Sequence, residues 1–156
     1  MRPVSATRQL IVGAVFLTAI AWSNAAFAQL TVGTWIRTDG KGKGITMTVE
    51  KCCNGGERLV WHIPAMGNQP PSTMTVESPM DGTDVPALVD GKPSGETMAL
   101  KRIDDHHYSS VIKMDGKPFG TGKSTISPDG KTITVESVMG SPGSQPTPMI
   151  ETWVKK

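Results

Sequence analysis

Residues 98–137 read M-A-L-K-R-I-D-D-H-H-Y-S-S-V-I-K-M-D-G-K-P-F-G-T-G-K-S-T-I-S-P-D-G-K-T-I-T-V-E-S. Short runs of β-branched and apolar residues alternate here with Asp104-Asp105, Asp115-Gly116 and Ser127-Pro128-Asp129-Gly130. Asp-Gly between alternating runs is a strong hairpin signal, because both central residues of a type I′ turn need positive φ. The stretch predicts a four-strand antiparallel meander. Asp-Gly recurs at positions 39, 81 and 90, and Asn54-Gly55 adds a further reversal. The same turn chemistry therefore governs the chain on both sides of the meander.

Working outward, residues 29–38 (Q-L-T-V-G-T-W-I-R-T) predict a first strand. Residues 44–51 alternate with the period of two that a pleated strand demands, Ile45, Met47 and Val49 against Thr46, Thr48 and Glu50. Cys52-Cys53-Asn54-Gly55-Gly56 turns the chain into a strand over 58–63, and a proline-rich loop over 64–72 leads to another at 73–78. Asp81-Gly82-Thr83 is expected to turn, and residues 85–89 to form a short edge strand interrupted by Pro86. A loose loop over 141–148 precedes a last strand at 149–155. No window beyond the N-terminal leader sustains a helical period. The fold class is therefore all-β, a single antiparallel up-and-down barrel of about 8–10 strands, since closure removes exposed edges.

Residues 1–28 predict a secretory signal peptide. Arg2 and Arg8 give a positive start, residues 10–22 an apolar run, and Ala26-Phe27-Ala28 the small residues of a cleavage site after Ala28. That run is shorter than the ~20 residues a bilayer core requires, so no stable membrane anchor is expected after cleavage. The implied location is the periplasm or the extracellular space, with residues 29–156 as one barrel domain. Of the 16 basic side chains, Arg2 and Arg8 leave with the leader, and the rest balance the 14 acidic ones. The remaining lysines are scattered, which argues against a nucleic-acid partner.

Gly33-Thr34-Trp35 near the start of the mature chain, with a final strand ending Glu151-Thr152-Trp153-Val154-Lys155-Lys156, resembles the calycin barrels, lipocalins and fatty-acid-binding proteins. The resemblance implies that the tryptophan plugs one barrel end, and that Arg102 is a candidate for the basic residue covering it. The sequence departs from that pattern in having no room for a helix pair between Thr38 and Gly44, no Thr-Asp-Tyr motif and no C-terminal helix. From Gly33 to the last strand it also resembles small secreted bacterial β-proteins of uncharacterised type, which implies no activity.

The candidate binding residues are aromatic: Trp61 and Tyr108 as a cavity-lining pair, Trp35 and Trp153 beside the closing seam, with ordinary core packing as the alternative for all of them. Asp104, Asp105, His106 and His107 form the densest ionisable cluster, but adjacent histidines on a strand point to opposite faces. His106 and His107 are therefore weak metal candidates beside the reading as a polar turn. Adjacent Cys52 and Cys53 admit a strained disulfide with a redox role, an intermolecular bridge, free thiols, or a purely structural pair. Met47, Met66, Met74, Met80 and Met98 suit adaptable packing where aromatics are few, and with His62 they allow a copper-carrier reading. No nucleophile elbow, phosphate loop or cofactor motif is present, and no pattern brings a pair of carboxylates into a cleft. The expected activity is non-catalytic: a monomeric barrel holding a small apolar or amphiphilic molecule, without a cofactor. The alternatives are a structural or protein-interaction module with a filled interior, and a metal- or redox-responsive protein. An interior below ~300 Å³ would favour the filled module.

Overall fold

A computed structural model describes residues 32–140 and 143–156. The leader predicted over 1–28 lies outside the described residues. The elements run in the order β1 (Gly33–Arg37), β2 (Thr46–Cys52), a 3-10 turn (Cys53–Gly55), β3 (Gly56–Ile63), β4 (Ser72–Ser78), β5 (Asp81–Val89), β6 (Lys92–Arg102), β7 (His107–Met114), β8 (Lys117–Ile126), β9 (Thr132–Met139) and β10 (Thr147–Lys155). Each strand pairs antiparallel with its sequence neighbour, and β1 pairs with β10 to close the barrel. The meander predicted from residues 98–137 is β6 to β9.

Two connections are the type I′ reversals that the sequence implies. Asp90-Gly91 and Asp115-Gly116 take φ of 50° and 77°, and 49° and 76°. Asp81-Gly82 does not turn the chain. The reversal falls at Pro79-Met80, where Met80 adopts φ of 61° and its N–H donates to Ser78 Oγ at 3.1 Å. Asp81 and Gly82 begin β5, beside a register shift between Asp81 and Asp84. There Asp81 Oδ1 accepts the Thr83 N–H at 2.9 Å. Asp-Gly at this point makes a bulge, the other use of a residue pair that tolerates positive φ.

The expected edge strand at 85–89 is likewise corrected. β5 is nine residues long and pairs on both sides, because a closed barrel has no edge. Pro86 is accommodated by the register shift between Pro86 and Leu88, and Pro118 lies next to another, between Ile112 and Lys113. An imino nitrogen cannot donate to a ladder, and bulges are where strands tolerate it. The last strand also starts earlier than predicted: Thr147 and Pro148 already pair with Met139 and Val138.

Alternation places one residue set inside. Trp35, Val49, Val76 and Ala87 are wholly buried, with Ile133, Trp153, Tyr108, Ile126, Leu59 and Ile112 nearly so. The opposite set faces outward and carries ion pairs across strands, such as Arg58 with Glu77 and Lys113 with Asp84. Because the strands alternate in direction, the turns after β2, β4, β6 and β8 share one end with the C-terminus. The longer connections 38–45 and 64–71 share the other end.

Candidate functional site

The barrel interior is not packed shut. A cavity of about 280 Å³ runs between the sheet walls, lined on β2 to β4 by Met47, Leu59, Trp61, Ile63 and Met74. On the opposite wall it meets Met98, Tyr108, Ile112, Ile133, Val135, Met139 and Trp153. Arg37, Ile63 and Met139 are the last residues of β1, β3 and β9, so the cavity reaches the end that carries the longer connections. Most of the lining is apolar. Its volume equals that of roughly nine waters of liquid, far beyond the sub-water voids of a close-packed core. It nevertheless falls just under the ~300 Å³ at which ligand pockets usually begin.

Part of that space exists because side chains are missing on one row. Ser110 pairs with Gly122, which pairs with Ser137. A Cβ on Gly122 would stand 2.5 Å from Ser110 Oγ. Ser110 and Ser137 of that row, and Ser124 two residues along β8, all line the cavity.

The charged groups gather around Arg37. Its Nε and Nη2 donate to Asp39 Oδ1 and Oδ2 at 2.6 and 2.9 Å, and Nη1 stands 3.0 Å from Glu151 Oε1. Glu151 Oε2 in turn accepts the Trp153 indole N–H at 3.2 Å. The guanidinium side chain is only 11% exposed, and the connection 38–45 folds tightly against it. A Cβ on Gly42 would meet Arg37 Cδ at 2.1 Å, so only glycine leaves the guanidinium in place. The hydrogen bond from Arg37 holds the Asp39 carboxyl below its ordinary value, and the same bond raises the arginine.

Glu96 on β6 also lines the cavity. Among the described residues it has no ion pair, and its carboxylate makes no hydrogen bond. Burial pushes its pKa up, because desolvation penalises the charged form. A folded-state pKa above the unfolded value means that Glu96 favours folding below the unfolded pKa, near 4.3. That advantage is lost as pH rises through the raised folded value. Glu96→Gln should therefore melt slightly higher than the parent at pH 7.5, by about 1–2 °C at most because solvent screens a half-buried carboxylate. At pH 3.5 the two should melt identically, as thermal denaturation monitored by circular dichroism would show. A variant no more stable at the higher pH would mean the carboxylate is not held at a cost.

Of the aromatic candidates, Trp61, Tyr108 and Trp153 line the cavity and Trp35 does not. Trp35 and Trp153 flank the closing seam as expected, with Trp35 opposite Lys155 and Arg37 opposite Trp153. The basic residue above Trp35 is Lys155, whose Nζ lies 5.7 Å from the ring centre. Arg102 instead covers Tyr108, at 5.8 Å.

His106 and His107 are split apart. His106 Nδ1 lies 3.2 Å from the Ile126 carbonyl oxygen, while His107 Nδ1 is 2.8 Å from both Asp104 oxygens. Asp104 also accepts the backbone N–H groups of both histidines, so this cluster is the polar turn into β7. Among the described residues no group of three His, Cys, Asp or Glu side chains is placed to hold a metal. Cys52 and Cys53 are joined to each other across the end of β2, with Cα atoms 3.8 Å apart, and neither thiol is free. Met47, Met74, Met80 and Met98 face the cavity, whereas Met66 is exposed in the connection 64–71.

Arg37, Glu96 and Glu151 were absent from the sequence candidates, and no sequence pattern brought a pair of carboxylates together, whereas Glu96 and Glu151 both line the cavity. A signal for all three was present. Arg37 has the parity of Trp35, Glu151 that of Trp153, and Glu96 that of Met98, so each shares the inward face of its strand. No family model matches the chain, and the search of curated proteins found no match.

Proposed function

We propose that this chain is an exported, non-catalytic, monomeric carrier that holds one small amphiphile inside the barrel, in the periplasm or outside the cell. The observation that carries the reading is the interior itself: an apolar, methionine- and tryptophan-lined space into which hydroxyls and charged groups converge. Binding cavities combine a mostly apolar wall with a few placed polar groups in this way. A half-buried carboxylate, Glu96, borders the same space, as the placed polar groups of a binding cavity do. The size limits the ligand to roughly ten non-hydrogen atoms, so a long-chain fatty acid does not fit.

The structural module remains the second reading, favoured by a volume of about 280 Å³ that is slightly below the usual range of ligand sites. Calorimetric titration with n-octanol separates them. A carrier gives saturable one-to-one binding that Val135→Trp, which fills the cavity, abolishes while the far-ultraviolet circular dichroism stays unchanged. No heat in the parent protein, or equal binding in a folded Val135→Trp, would overturn the carrier.

A further inference from the structure

We infer that the cavity selects a cationic head group, so that the amphiphile it takes is an alkyl- or arylammonium and not a carboxylate. This rests on the carrier reading and adds the sign of the ligand. Among the lining residues one guanidinium, Arg37, stands against two carboxylates, Glu96 and Glu151. Arg37 is moreover already committed. Asp39 chelates it through two nitrogens, and Glu151 holds a third. A carboxylate ligand entering the cavity would meet a cation more than neutralised by its own partners, and would lie beside a second negative group. Like-charge juxtaposition in a confined site is costly, and is a standard means of rejecting the wrong partner.

The complementary group is Glu96. It faces the cavity with no hydrogen bond or ion pair to its carboxylate among the described residues, and its burial raises its pKa. A carboxylate in that position gains most from a cation that arrives without one of its own. The apolar walls fit the rest of such a molecule, and the lining indoles of Trp61 and Trp153 are of the ring type that best attracts an ammonium group. The hydroxyls of Ser110 and Ser137 are available to its N–H donors.

The test uses the purified full chain and three probes of nearly equal size at pH 7.5: n-octylamine, n-octanol and n-octanoate, each titrated calorimetrically below its micelle concentration. Octylamine is protonated at that pH. It should bind about tenfold or more tightly than octanol, and octanoate more weakly than octanol. Glu96→Gln should weaken octylamine about tenfold while leaving octanol within about twofold. If octanoate binds as tightly as octylamine, the cationic selection is wrong and the carrier stands. Should none of the three bind, the carrier reading itself falls. Octylamine affinity unchanged in Glu96→Gln would also overturn the assignment, since that variant keeps the fold and removes only the charge.

Discussion

Trp35→Ala is expected to lose about 3–5 kcal/mol of folding stability, and to melt roughly 10–20 °C below the parent. Trp35 is wholly buried at the centre of β1, the shortest strand, which meets β10 only over Trp35 to Arg37. The indole lies outside the lining of the cavity, so truncation opens a new void in packed core instead of enlarging existing space. Residual void volume is what raises the cost of a large-to-small change. The Lys155 ammonium above the ring would also lose its aromatic face, beside the seam where the barrel closes. Trp61→Ala is the control. Trp61 is half-buried and borders the cavity, so the space it vacates joins one that exists already and the loss should be clearly smaller. Urea unfolding of the two variants decides the matter. Equal losses would mean that Trp35 has no special part in closure.

How much of this was legible depends on how local the cause is. The Asp90-Gly91 and Asp115-Gly116 reversals follow from two adjacent residues, and their positive φ angles match the turn they imply. Asp81-Gly82 carries the same chemistry yet forms a bulge, because a bulge and a turn both accept positive φ. The choice was made nearby by Pro79-Met80 and the Ser78 hydroxyl. Strand alternation made the inward face readable, which placed Trp61, Tyr108 and Trp153 around one interior. The charged groups there were passed over because Arg, Glu and Asp are almost never fully buried unless paired. Arg37 and Glu151 are separated by most of the chain and become partners only when β1 meets β10. Closure also made residues 85–89 an interior strand, since nothing within those residues says whether both their sides find neighbours.

Arg37→Met should destabilise the protein by about 1–2 kcal/mol at pH 7, between the worth of a surface pair and the cost of breaking a fully buried one, because the Arg37–Asp39 pair is part-buried. Methionine keeps much of the aliphatic volume, so the loss is chiefly electrostatic. Asp39 and Glu151 would both lose the one cation they share, Glu151 in a cavity lining that also holds Glu96. The pH dependence identifies the cause. In the parent, Asp39 has a depressed pKa, chiefly through its hydrogen bond from Arg37. Its pairing therefore stabilises the fold above the unfolded value near 3.9, and that contribution is lost as pH falls through the lower folded value. The difference between parent and Arg37→Met should accordingly shrink as pH falls through the depressed Asp39 value, as urea unfolding across an acidic pH series would show. Arg37→Lys restores the charge without the two-pronged geometry, and should fall between the two at pH 7. A penalty that does not change with pH would assign Arg37 to packing and not to charge. The same substitution makes the interior more negative, so an interior built to take a cation should bind octylamine more tightly after Arg37 is removed, even as the fold weakens. An anion site would respond in the opposite direction, because the one group able to hold a carboxylate would be gone.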